Sequence, residues 1–199
     1  MLEWLDWLDK QLFLVLNGWH SEFWDGPMVW ISGKTSWIFM YVVILVWLAA
    51  LYRWRMVLVV VLITVCVTLT DQLSVHLFKD VFQRLRPCHS PEIQHLVHLA
   101  RDHCGGAYGF VSSHAANTFG VAMFTSGLIR RSTYTWFIFA WAALVSYSRI
   151  YLGVHYPGDI LGGAMLGIGI GWFTWFLYRI LSHWLSEQRT PFHNNASSG

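Results

Sequence analysis

Between Ser36 and Thr70 the chain carries only two charges, Arg53 and Arg55, and both fall in the short stretch that separates two uncharged apolar runs. Nothing but a pair of membrane-crossing helices joined by a tight turn accommodates such a pattern, because backbone groups in hydrocarbon must be satisfied within their own segment. The first helix is expected over about Ser36–Tyr52. The second starts near Met56 and continues through Asp71, His76 and Lys79 to about Phe82. Composition agrees: 55% of the 199 residues are hydrophobic and 12% charged, against about 25% charged in an ordinary soluble domain. The net charge of +2 is too small to imply nucleic acid as a partner.

Further apolar runs predict a third span over Ser113–Ile129, a fourth over Thr133–Tyr147 and a fifth over Gly158–Leu181. In the fifth, Gly163, Gly167 and Gly171 recur at four-residue steps, the pattern of a close helix–helix contact. Ahead of the first span, Leu2–Leu16 places Leu5, Leu8, Leu12 and Leu16 on one stripe and Glu3, Asp6, Asp9 and Lys10 largely elsewhere. That helix is too charged to span and is expected to lie in the interface. A second interfacial segment, Glu22–Ile31, carries Trp24 and Trp30. No removable signal peptide is evident. The expected fold is therefore all-α: an integral membrane bundle of about five transmembrane helices plus an N-terminal interfacial helix. It forms one domain over residues 1–187, with interfacial helices in 1–33, a polar loop over 83–112 and a mobile polar tail over 188–199.

Five spans put the Arg53/Arg55 turn, the Arg130/Arg131 turn and the C-terminal Arg179 and Arg189 on one side, which the positive-inside rule makes cytoplasmic. The opposite, periplasmic side of a bacterial inner membrane then receives Lys79, Arg84, Arg86, Arg101 and Arg149. Cations that break the rule need another reason, and an anionic ligand is the simplest. Three clusters converge there: Lys79 with Arg86-Pro87, then Val111-Ser112-Ser113-His114, then Ser148-Arg149 with His155 and Asp159. A carboxylate four residues after a histidine shares its helical face and can accept the ring N–H, which makes the other nitrogen a better nucleophile. Arginine supplies a charged fork suited to phosphate. Together these groups meet the needs of phosphoryl transfer: charge neutralisation, a nucleophile and an acid for the leaving oxygen.

The motif Lys-x6-Arg-Pro, then Ser-x-His, then Ser-Arg-x5-His-x3-Asp resembles the type 2 phosphatidic acid phosphatase family of membrane lipid phosphatases. The likeness is organised by Lys79 to Asp159 and extends over most of the helical layout. It implies His155 as the nucleophile that becomes phosphohistidine, Asp159 as its orienting carboxylate and His114 as the acid for the leaving group. Lys79, Arg86 and Arg149 would hold the phosphoryl oxygens, with Ser112 and the N–H of Ser113 helping. Ser113 stands where the family usually has glycine. No metal or other cofactor is implied, and no obligatory protein partner.

The expected activity is hydrolysis of a phosphate or pyrophosphate monoester on a lipid at the periplasmic face. Undecaprenyl pyrophosphate is the favoured substrate. Phosphatidate, phosphatidylglycerol phosphate and lipid A phosphates are alternatives, as is transfer to another lipid. A non-catalytic anion transporter or sensor would use the same cations but leaves the His155–Asp159 spacing unexplained. His89, His95, His98 and His103 crowd the polar loop beside Cys88 and Cys104, without a zinc-site spacing. Cys88 and Cys104 share that outer-face loop and are expected to pair as a disulfide, whereas Cys66 lies inside a span. Asp71 and His76, ionisable groups in or near the second span, are functional candidates by position.

Overall fold

The computed structural model describes residues 2–101 and 104–187, so the tail expected beyond Gln188 lies outside the described residues. Seven helices are the main elements, and no strand occurs among the described residues. They are α1 Leu2–Gly18, α2 Glu22–Ile31, α3 Ile38–Tyr52, α4 Met56–Leu73, α5 Ser113–Ile129, α6 Ser132–Tyr151 and α7 Pro157–Glu187. The last five occupy the places of the expected spans. By length and apolarity alone, two stretches among the described residues suffice to cross a membrane: Ile38–Phe82, which includes both α3 and α4, and Pro157–Glu187.

As expected, α4 does not stop at its first polar residues. It continues through a wider π-type stretch, Ser74–Lys79, and a last turn, Asp80–Phe82. The fourth helix differs from expectation. It runs four residues past Tyr147 to Tyr151, so Ser148 and Arg149 sit in its last turn and not in a loop. The reason is that Ser148 is tolerated in the helix by bonding its hydroxyl back to the Val145 carbonyl at 2.6 Å.

The tightest seam joins α5 to α7. A Cβ on Gly163 would meet the Ser112 carbonyl, one on Gly167 the Ala116 carbonyl, and one on Gly171 the Gly120 carbonyl. Both helices advance by four residues per contact, so they run parallel with both N-termini at the same end. The main apolar core, including Ile44, Leu62, Phe124, Ile138 and Trp141, lies toward the opposite end.

The amphipathic α1 turns two of its acidic residues toward the protein. Trp4, Leu5, Trp7, Leu8 and Leu12 are exposed, as on a lipid-facing surface. Asp6, still part-exposed, and Asp9 turn toward the protein and bind Arg84, and Asp9 also accepts the Gly158 N–H at 2.8 Å. Phe13 is fully buried against Tyr156, and the Asn17 amide donates to the carbonyls of Ile150 and Tyr151 at the end of α6. Thus α1 is fastened to the very loop that carries His155.

Candidate active site

The loop 152–156 between α6 and α7 presents His155, which is 2% exposed, and the first turn of α7 presents Asp159, fully buried. The two meet, though not as the four-residue spacing first suggests. His155 precedes the helix, and contact comes from helix-start geometry: Asp159, in the first turn, reaches back so that its Oδ2 accepts the Tyr156 N–H at 3.0 Å. The same oxygen lies 3.3 Å from His155 Nδ1. On the other ring nitrogen, Nε2, Arg86 Nη1 approaches to 3.3 Å. A guanidinium only donates, so Nε2 carries the lone pair and Nδ1 the hydrogen. Burial, partly opposed by the Asp159 contact, pushes the His155 pKa down to about 4, and the charges of Arg86 and Arg149 act in the same direction as burial. The ring is therefore neutral near pH 7, with its Nε2 lone pair facing the Arg86 guanidinium.

Arg86 is set by a short backbone pairing. Its N–H donates to the Ala107 carbonyl and the Gly109 N–H to the Arg84 carbonyl, both at 2.9 Å, around the Leu85–Tyr108 bridge. Just outside that pairing, Cys88 and Cys104 are joined as a disulfide, with Cα atoms 6.3 Å apart. Gly109 backs the His–Asp pair so closely that a Cβ would lie 3.1 Å from Asp159 Oδ2 and 3.5 Å from His155 Nδ1. Arg86 also donates to the Val154 carbonyl at 3.2 Å. Its Nε is buried without a partner among the described residues, as are Arg149 Nε and the hydroxyl of Ser112. Burial lowers the Arg86 pKa, with Asp159 opposing, yet an arginine remains charged at any working pH.

The remaining expected residues line the opposite wall. Lys79 Nζ donates to the Ser113 hydroxyl at 2.6 Å, and Ser74 holds that hydroxyl from the other side. Arg149 uses one guanidinium nitrogen on the Ser32 hydroxyl. The Ser112 N–H is taken by the Asp159 carbonyl at 3.0 Å, which ties the head of α5 to the head of α7. The first N–H groups of α5 have no intrahelical acceptor. His114, half-buried, lies within electrostatic reach of Arg149, His155, Lys34 and Lys79. The structure thus gathers Lys79, Arg86, Arg149, Ser112, Ser113, His114, His155 and Asp159 at one end of the bundle. Of the two candidates from the second span, His76 is exposed and bonds Asp80 and Gln72 away from this cluster. Asp71 lines a cavity beside His114.

One group was not assigned to the site from sequence. Arg84 donates to Asp159 Oδ1 at 3.0 Å, to Asp9 at 2.8 Å and to Asp6 at 2.9 Å, and stacks 4.1 Å over the Tyr156 ring. Burial disfavours its charge, but Asp159, Asp9 and Asp6 outweigh burial and raise its pKa. It was visible only as one more cation on the outer face.

Residues 57–182 match the PAP2 superfamily. The chain is 42% identical over 195 residues to a lipid A 4'-phosphatase of Bacteroides thetaiotaomicron, covering 96% of this chain and 86% of that protein. It is 25% identical over 173 residues to the undecaprenyl-diphosphatase BcrC of Bacillus subtilis, covering 86% and 84% respectively. Its fold is similar to the crystal structure of a transmembrane PAP2 type phosphatidylglycerolphosphate phosphatase from Bacillus subtilis, with a TM-score of 0.64 and 21% identity over 91% of this chain and 87% of that one. A match over more than half the chain, reaching from the start of α4 through Asp159 and along α7, makes it a phosphatase that belongs to the PAP2 superfamily.

Proposed function

We propose that this membrane phosphatase removes a phosphate monoester from a sugar-headed lipid of the lipid A type, at the periplasmic face of a bacterial inner membrane. The observation that carries the substrate class is the 42% identity to a lipid A 4'-phosphatase over nearly the whole chain, against 25% to an undecaprenyl-diphosphatase. This reverses the order of preference drawn from sequence, in which the isoprenoid pyrophosphate came first. The periplasmic placement follows from the arginine distribution across the spans.

The geometry supports a two-step displacement. The Nε2 lone pair of His155 attacks phosphorus as the bond to the ester oxygen breaks, giving phosphohistidine and an alkoxide that takes a proton from His114. Asp159 holds the Nδ1 hydrogen and steadies the positive charge that forms on the ring. Arg86, Arg149, Lys79 and the open N–H groups of α5 neutralise the equatorial oxygens. Water, losing a proton to His114, then cleaves the N–P bond and releases inorganic phosphate. The orphaned Nε atoms of Arg86 and Arg149 and the Ser112 hydroxyl are the kind of buried, unsatisfied groups that an oxyanion would complete.

A phosphate-release panel tests the reading, with purified protein in detergent acting on lipid A, undecaprenyl pyrophosphate, phosphatidylglycerol phosphate and phosphatidate. Lipid A should give the highest kcat/KM, with one phosphate lost per molecule, and His155→Ala should abolish release. Preference for any other member of the panel would reject the substrate class. Release by His155→Ala near the wild-type rate would reject the mechanism.

A further inference from the structure

A cavity of about 700 Å³ opens beside His114 within the bundle. Its walls follow helical stripes: Thr64, Val67, Thr68, Asp71 and Gln72 on α4, and His114, Asn117, Thr118 and Val121 on α5. The two helices are pinned antiparallel by Ser74 on Ser113 and by Thr70 on Asn117. Each pin is one turn from the next, so Asn117 lies about 5 Å and Asp71 about 3 Å deeper than His114 along the helix axes. The deeper lining is mostly apolar, with Ile44, Leu45, Ile63, Val121, Trp141 and Val145, apart from the hydroxyls of Thr64 and Thr68. One end of the Asn117 amide is held by Thr70, which leaves its other end for the cavity. The Asp71 carboxylate has no hydrogen bond or ion pair among the described residues, although it stands in a helix that crosses the membrane. Intramembrane carboxylates are costly and seldom idle.

We propose that Asp71, with Asn117, forms the leaving-group subsite, accepting an uncharged sugar ring that bears hydroxyl or amide donors next to the departing oxygen and rejecting a leaving group whose departing oxygen belongs to a phosphate. The inference rests on the sugar-phosphate reading above and adds the residue that enforces it. His114 protonates the ester oxygen as it departs, so the leaving alcohol must lie next to His114 and extend away from the cations. The axial step of about 3 to 5 Å from His114 to Asp71 and Asn117 is on the scale of one sugar ring, and the largely apolar floor below suits acyl chains. A sugar hydroxyl or amide N–H donates to the carboxylate, a charge-assisted bond. When the substrate is a pyrophosphate, the leaving group is itself a phosphate and would be driven against Asp71 in a low-dielectric cavity. Lys34 also lines the cavity, but it is exposed and acts on His114 together with Arg149, His155 and Lys79, so its charge belongs with the phosphoryl side.

The test compares wild type with the isosteric Asp71→Asn, and with Asp71→Ser as a second neutral variant, on lipid A and on undecaprenyl pyrophosphate. The ratio of kcat/KM for the sugar phosphate over the pyrophosphate should fall at least ~10-fold in both variants, the scale of one charge-assisted hydrogen bond. The fall should combine a loss on the first substrate with a gain on the second. Thermal unfolding in detergent reports folding, and a misfolded variant loses both activities in proportion, with no gain anywhere. An unchanged ratio in two folded variants overturns the proposal. If wild type were inert on lipid A, the substrate reading would fall. The exclusion of phosphate leaving groups would still be decided by the pyrophosphate arm, where Asp71→Asn must gain activity or the proposal fails as well.

Discussion

Replacing Arg84 by methionine keeps an unbranched apolar stem and removes the guanidinium with its charge. In the folded protein the charge of Asp159 is shared between Arg84, at 3.0 Å, and the His155 ring, at 3.3 Å. Without Arg84 the buried carboxylate loses its directly bonded cation; Arg86 and Lys79 still act on it through space, and His155 is the group left in contact with it. The protonated form of His155 is thereby favoured, and its pKa should rise from about 4 by about 2, within the ~1–3 units that one close charge commands. The nucleophile must be neutral, so its competent fraction vanishes as pH falls through that pKa. Wild type should keep its kcat/KM down to roughly pH 5, whereas Arg84→Met should already have lost ~10-fold at pH 5 relative to its own value at pH 7.5. A further pH-independent loss, on the order of 10-fold, is expected because Asp6 and Asp9 lose their hold on the loop that carries His155. Arg84→Lys should restore the acid limb but not the whole rate, since an ammonium cannot reproduce the fork that serves three carboxylates at once. The assay is phosphate release from pH 4.5 to 8.5 in a constant-ionic-strength buffer. A profile for Arg84→Met parallel to that of wild type would refute the coupling between Arg84 and the His155–Asp159 pair.

Four further outcomes are expected. His114→Ala should slow hydrolysis of a poor leaving group such as a sugar alcohol far more than that of p-nitrophenyl phosphate; equal losses on both would remove His114 from the acid role. Gly109→Ala puts a methyl group 3.1 Å from Asp159 Oδ2 and should lower kcat by about 10-fold or more with little change in KM, since a sub-ångström displacement acts on the reacting ring; a wild-type kcat would show that the loop yields freely. Gly167→Val drives a branched side chain into the Ala116 carbonyl across the α5–α7 seam and should cost more than about 3 kcal/mol, read as loss of folded protein in detergent. Cys88 and Cys104 should resist thiol labelling in denatured protein from an oxidising compartment until reductant is added, while Cys66 labels at once; full labelling of all three beforehand would exclude the bridge.

The helical frame was legible because membrane spans advertise themselves by what they lack. The bounds of α2 and α5 coincide with those expected, and α4 could be followed past Asp71 because the apolar pattern does not break there. The groups of the site were legible from spacing and residue type, but their contacts were only half so. Four-residue spacing brought His155 and Asp159 together in the reading, yet the structure does so through a helix start, where the carboxylate also holds the Tyr156 N–H. Amphipathicity of α1 showed that Asp6 and Asp9 share a face. It could not show whether that face meets water or protein, because both environments reward separated charge. Arg84 escaped for the same reason: its partners lie about 75 residues away in both directions along the chain, and no local pattern encodes such a pairing. Asp71 stood out by its depth, but the cavity that gives it a role is made by four helices at once.

The parallel course of α5 and α7 has an electrostatic consequence. Two helices side by side with their N-termini together bring two partial positive ends, each about half an elementary charge, into mutual repulsion. At the head of α7 the repulsion is answered from within, since Asp159 occupies its first turn. The first turn of α5 has no acidic residue. Its positive end is balanced only when something anionic arrives from outside, and that end lies beside Lys79 and His114, across from the His155 lone pair. On the proposed mechanism, the asymmetry gives the incoming phosphoryl group one resting place and one direction of attack: it would settle on the head of α5 and be struck by His155, just ahead of α7. It also means that the vacant protein carries a standing field that a bound oxyanion cancels. Inorganic phosphate or vanadate should therefore raise the unfolding temperature even though neither is turned over.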